Sequence, residues 1–205
     1  MKSIKLLSTI AIAASLFVQT LSANNIENAY DMGGTTLKIA ASNENVIVNL
    51  GTVEKEEITI KIMNSDETTL INETIKNVKD FSKKYNVKRL EDGQYRLIVS
   101  KKTIRTVQPF SIKGGVVSMS ALEQKEKFLP TLSYRNDKLD INVLLGNYSN
   151  ILVKIYDAEG EIVKNEKHYV VLQLNQRYDV SQLPKGSYTA EVKAGDETFM
   201  YSFEK

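Results

Sequence analysis

The sequence predicts an all-β chain: two tandem antiparallel β-sandwiches behind a secretory signal. Three observations carry this. Short stretches of apolar and polar alternation recur between clusters of turn residues. No stretch shows a convincing helical period. The chain also matches itself: displaced by 93 positions, residues 58–112 lie over 151–205 without a gap. The coincidences include Ile58/Ile151, Ile62/Ile155, Tyr85/Tyr178, Leu90/Leu183, Gly93/Gly186, Tyr95/Tyr188 and Phe110/Phe203. A period this long marks a duplicated domain, since solenoid units run to roughly 20–50 residues. A displacement of 95 extends the match upstream, laying 46–51 over 141–146, so that the first copy carries two extra residues before Ile58.

Residues 1–23 read as a signal peptide. Lys2 and Lys5 form a positive start, residues 6–21 carry no charge, and Leu21-Ser22-Ala23 precedes Asn24; cleavage is expected after Ala23. The apolar run falls short of the roughly 20 residues of a spanning helix, and no transmembrane segment is expected in the mature chain. There is no cysteine, so neither a lipid anchor at the cleavage point nor disulfides are available, although an exported chain could form them. Packed cores must supply the stability. Lys2 and Lys5 also carry the whole formal charge of +2. The mature chain is neutral and has no long-range field toward nucleic acid or an anionic membrane.

Residues 24–34 are polar and close on Gly33 and Gly34, which predicts a flexible leader. The first sandwich is placed at 35–113, with strands at 36–40, 45–50, 58–62, 69–75, 81–87, 94–100 and 103–112. In 58–62 the three isoleucines fall on one face and Thr59 and Lys61 on the other. Residues 114–130 are a connector, in which 121–127 is the best helical candidate. The second sandwich is placed at 131–205, with strands at 139–145, 151–157, 161–171, 172–180, 187–193 and 197–203. Hairpin turns are expected at 64–67, 157–160 and 194–197, the last two with glycine or aspartate at positive φ.

The whole chain is organised around two similar corners. One holds Tyr85, Leu90, Gly93 and Tyr95; the other holds Tyr178, Leu183, Pro184, Gly186 and Tyr188, and Glu91 stands at the place of Pro184. In Greek-key sandwiches a tyrosine at the start of a late strand packs inward and bonds its hydroxyl to nearby backbone. Glycine is expected to supply a positive φ there, and proline to preset the turn. These are structural corners, not site residues.

No catalytic, cofactor or metal site is expected. His168 is the sole histidine and reads as a surface or edge residue, because a zinc site needs several His or Cys ligands and a triad needs a positioned base. Asp157, Glu159 and Glu161 cluster at one turn, and Asp196 and Glu197 at another. Calcium takes six or more oxygens, and hairpin tips use Asp and Gly in any case; only weak calcium binding stays open. There is no tryptophan to stack a sugar, and neither Gly33-Gly34 nor Gly114-Gly115 continues as a phosphate loop. Lys83, Lys84, Lys88, Arg89, Lys101, Lys102 and Arg105 make the first copy slightly basic, but Asp80, Glu91 and Asp92 interleave with them as on a solvated face. The run Phe199-Met200-Tyr201-Ser202-Phe203 reads in two ways: its aromatics fill the core from one face, or it is an edge strand open to a partner strand.

The stretch from Ile155 through Tyr156, Asp157 and Gly160 to Val163, then the corner at Tyr178–Tyr188, then Phe203-Glu204-Lys205, resembles a known family. It is similar to the C-terminal sorting domains of type IX (Por) secretion cargo in Bacteroidetes, and to small secreted Ig-like proteins related to them. The resemblance covers roughly residues 139–205. It implies an Ig-like β-sandwich, Sec export and passage across the outer membrane. The expectation is therefore an exported, non-enzymatic protein of two Ig-like sandwiches, found in the periplasm, at the cell surface or outside the cell. Its partner would be an envelope or extracellular protein or glycan, and possible contact with the secretion machinery follows from the resemblance. The alternative is that the second repeat is a sorting domain directing export of the first.

Overall fold

The computed structural model describes residues 28–32, 34–51, 53–144, 150–169 and 172–205. The signal peptide expected at 1–23 lies outside them, as do the strand ends expected at Leu145, Val170 and Val171.

Two antiparallel sandwiches follow one another. The first contains β1 (Asn28–Asp31), β2 (Thr36–Ser42), β3 (Asn45–Leu50), β4 (Val53–Asn64), β5 (Thr69–Val78), β6 (Phe81–Asn86), β7 (Gly93–Ser100) and β8 (Ile104–Lys113), followed by β9 (Val116–Ser118), a single 3-10 turn (Ala121–Glu123) and β10 (Lys125–Phe128). The second contains β11 (Thr131–Arg135), β12 (Lys138–Leu144), β13 (Asn150–Tyr156), β14 (Ile162–Tyr169), β15 (Gln173–Asp179), β16 (Ser187–Ala194) and β17 (Glu197–Glu204). The first pairs its strands as β1-β2-β3-β6 and β10-β8-β7-β4-β5, with β9 also on β8. The second pairs them as β11-β12-β15 and β14-β13-β16-β17. Counting from β2 and from β11, strands one, two and five face strands three, four, six and seven in both units. That is an immunoglobulin-like Greek-key sandwich in which the fourth strand pairs with the third, where the constant-type order sets it beside the fifth.

Alternation along the strands makes the two cores. Ile58, Ile60 and Ile62 of β4 are fully buried, as their single-face spacing requires, and β3 buries Val46, Val48 and Leu50 against them. In the second unit Leu139, Ile141 and Val143 of β12 meet Ile151, Val153 and Ile155 of β13. The two clusters are separate.

Three expectations are corrected. The leader at 24–34 is ordered from Asn28: β1 pairs along β2, and Met32 is fully buried. Four residues with polar ends are too few to show a strand period, and the strand exists because β2 offers it an edge. The connector at 114–130 is largely sheet. Both β9 and β10 pair with β8, Val117 and Met119 enter the first core, and the helix candidate shrinks to one 3-10 turn. The upstream displacement is 93, not 95. Val46 lies opposite Tyr85, and Leu139 opposite Tyr178, while Val87 N donates to Glu44 O and Val180 N to Asp137 O, each at 2.9 Å. Both copies keep one spacing because strand pairing, not side-chain identity, defines the equivalence.

The turn after the third sandwich strand is built alike in both copies. Asn64 Oδ1 accepts from the N–H groups of Asp66 and Thr68, and Asp157 Oδ1 accepts from those of Glu159 and Glu161. The left-handed position is Glu67 at φ 63° in the first copy and Gly160 at φ 85° in the second. A left-handed conformation costs a non-glycine residue roughly 1–2 kcal/mol. Gly160→Ala should destabilise the protein by about 1 kcal/mol, whereas Glu67→Ala, already carrying a Cβ there, should be near neutral; urea unfolding of both variants measures the contrast.

Candidate interaction surface

Each corner is locked by its tyrosine. Tyr95 donates its hydroxyl to Glu91 O at 2.7 Å, and Tyr188 donates to Pro184 O at 2.9 Å. Tyr95 stacks on Phe110 with ring centroids 5.4 Å apart, and Tyr188 on Phe203 at 5.6 Å. Leu90 and Leu183 pack against their own cores, with backbone bonds from Leu90 N to Val87 O and from Leu183 N to Val180 O. The glycines act differently from the expectation: neither Gly93 nor Gly186 has a positive φ. A Cβ on Gly93 would touch the Tyr95 ring at 3.8 Å, and one on Gly186 would meet open space. Gly186 instead exchanges backbone bonds with Lys205. The Lys205 ammonium reaches under the corner to the carbonyls of Ser181 and Leu183.

Tyr85 and Tyr178 sit one turn earlier, at the seam between the sheets, and both are buried. Tyr85 donates to Glu73 Oε2 at 2.9 Å, and Lys83 Nζ sits 2.7 Å from the same oxygen. Burial first, then Glu73, pushes the Tyr85 phenol well above its ordinary value. The Lys83 ammonium holds the Glu73 carboxyl below the usual carboxylate range, against the opposing effect of burial and with help from the Tyr85 hydroxyl. In the second unit the seam is more polar. Lys164 and His168 stand where the first unit has Ile71 and Ile75. His168 Nε2 lies 2.9 Å from the Tyr178 hydroxyl and 3.7 Å from Glu166, and Lys164 Nζ lies 3.0 Å from Glu166. His168 is thus on an edge strand but mostly covered, and it holds Tyr178 where Glu73 holds Tyr85. Burial, then Glu166, raises the Tyr178 phenol.

Two further ion pairs lie across strands of the second unit: Arg177 with Asp140 at 2.6 Å, and Lys138 with Asp179. Among the described residues no group of three or more His, Asp or Glu is placed to hold a metal. The Asp157 carboxylate faces its own turn amides. Among the described residues no helix is long and apolar enough to cross a membrane.

The tail run is an edge strand whose aromatics also face the core. β17 is the outer strand of its sheet, and its inner face places Phe203 in the core, with Phe199 and Tyr201 packed on it. Met200 points outward and is 56% exposed. At its start Glu197 reaches the first unit, 2.8 Å from Lys127 Nζ and 3.4 Å from Arg105 Nη1, and Tyr201 donates to Pro130 O. No spacing in the sequence pointed to Glu197 as a bridge, because its cations lie far upstream.

Residues 135–203 match the family described as the secretion system C-terminal sorting domain. The match runs from the end of β11 to β17 and covers the second sandwich. Among solved structures, the chain is similar to a biofilm associated protein, BSP domain (12% identity, TM-score 0.28), over 82% of this chain and 28% of that one. It is also similar to the FN1–FN3 domains of chicken CNTN1 (10% identity, TM-score 0.25), over 82% of this chain and 66% of that one. The chain thus spans less than two thirds of either. The comparison with curated proteins returned no match.

Two outcomes follow from this geometry. Tyr188→Phe should cost about 1 kcal/mol of stability through the lost corner bond, measured by urea unfolding. Glu73, with its folded value depressed, contributes stability that is present above the ordinary carboxylate range of about 4.3 and lost as pH falls through the folded value. Glu73→Gln should therefore be less stable than the parent at neutral pH, and the gap should close in acid.

Proposed function

We propose that the chain is an exported, non-enzymatic β-sandwich protein of the cell envelope whose second sandwich addresses it to the type IX secretion machinery. One observation carries the reading: the sorting-domain match at 135–203 falls on a sandwich with a core of its own. Supporting it, the sequence opens with a signal-like run at 1–23 that would deliver the chain to the periplasm. Ion pairs such as Lys83 with Glu73 and Arg177 with Asp140 tie titratable groups to the scaffold, which supports a role in binding over one in catalysis. On this reading 28–129 is the cargo, with partners outside the cell, and 131–205 is the address.

A second reading, that both units work together in the mature molecule, is favoured by the bridge from Glu197 to Arg105 and Lys127. Deleting 131–205 in a host with type IX secretion should trap the remainder in the periplasm. Unchanged release into the medium would sink the sorting role. Intact mass of the released parent chain then separates the two readings: a product ending before residue 131 supports an address that is removed, and one continuing to Lys205 supports a tandem module.

A further inference from the structure

The outer edge of β17 points to a self-pairing site, and we infer that a second copy of this chain adds its own β17 there, antiparallel, to make one continuous sheet across two molecules. This does not depend on the sorting role.

The two units supply an internal comparison. The equivalent strand in the first unit, β8, has its outer edge covered: β10 pairs with Ile104–Val107 and β9 with Ser111–Lys113. Pro109 lies in the gap between them, where a residue without an N–H costs the sheet nothing. Among the described residues nothing pairs with the same edge of β17. An open row of backbone donors and acceptors is a template for another strand.

The outer strands β14 and β5 of the two larger sheets are blunted. β14 carries Lys164, Lys167 and His168 and is offset by an irregularity at Ile155/Tyr156, and β5 pairs with β4 through two irregularities. β17 pairs with β16 over eight residues without a shift, and it holds no proline and no cation. Its charges, Glu197 and Glu204, lie at its two ends.

The phase of the outer edge follows from one pair. Gly186 and Lys205 exchange both backbone bonds, so alternation leaves the N–H and C=O groups of Thr198, Met200, Ser202 and Glu204 pointing away from β16. Two copies can meet only with these residues opposite one another. Centred on Tyr201, the register sets Met200 against Ser202 of the second copy, Thr198 against Glu204, and Phe199 against Phe203. No like charges face in this register. Aromatic pairs then occupy the closer, non-bonded positions, where cross-strand pairs contribute most. The strand is thus compatible with a copy of itself in register and charge, and that favours a second copy over a foreign strand.

The test uses the chain from residue 24 onward. Sedimentation equilibrium should show a concentration-dependent dimer. Ser202→Pro removes an outward N–H at the position Pro109 occupies in the sister strand, so the fold should survive, shown by an unchanged circular dichroism spectrum, while the dimer weakens about tenfold or more. Ser202→Ala should leave it unchanged. Because the chain has no cysteine, an equal mixture of Met200→Cys and Ser202→Cys chains should form a disulfide-linked pair that neither forms alone. That readout decides the matter if the proline variant fails to fold. A chain that stays monomeric and gives no mixed disulfide, or a dimer that Ser202→Pro leaves intact, overturns the inference.

Discussion

A phenol hydroxyl bonded to a carbonyl four residues back holds each sandwich at the point where the chain leaves one sheet for the other. The crossing segments, 87–92 and 180–185, have no ladder of their own, and backbone groups buried without partners are costly. Tyr95 and Tyr188 each tie a carbonyl of the crossing segment to the following strand and bury a ring on Phe110 or Phe203 in the same step. Everything downstream inherits its register from there. β7 pairs with β8 from Gly93, and β16 with β17 from Ser187, and the inward set of the last strand is fixed by which residue meets the tyrosine. A slip of one residue would turn Phe110 or Phe203 to solvent.

Because the fold occurs twice, residues that differ at equivalent positions show what the fold demands and what it tolerates. Glu91 and Pro184 both accept the corner bond, so the carbonyl matters and the side chain does not. Ile112 and Lys205 occupy one place: the first fills it with a buried apolar side chain, the second with a lysine stem whose ammonium caps two corner carbonyls. A long basic side chain can cover apolar surface and still place its charge on oxygen. Ile75 and His168 divide in the same way at the seam, one by packing and one by holding the Tyr178 hydroxyl.

Most of the ladder was legible in the sequence, since alternation such as Ile58, Ile60, Ile62 has a single reading on a pleated sheet. The corners were legible for the same reason, with residue types and spacing repeating together. What escaped had no local signal. β1, β9 and β10 have only three or four residues each, too few to show a period, and they are strands because β2 and β8 present unfilled edges. The glycines at the corners were assigned a dihedral they do not adopt, and a Cβ fits at both places, so spacing matched there without a conformational or steric need for glycine. The bridge at Glu197 depends on tertiary placement, which no pattern within one strand encodes.

β10 has a consequence for how the two units meet. It runs antiparallel to β8, so its last residue, Phe128, lies opposite Ile104 beside the β7–β8 turn, and Leu129 N bonds to Thr103 O there. β11 begins two residues later, and Thr131 lies opposite Asn142 near the far end of β12. The chain therefore enters the second sandwich from the turn end of the first, and Glu197, at the β16–β17 turn, is brought to Arg105 and Lys127. Partly exposed ion pairs contribute only about 0–1 kcal/mol each, too little to impose this arrangement. The backbone pairing of β10 sets the point at which the chain leaves the first unit, and the ion pairs of Glu197 fasten the contact there.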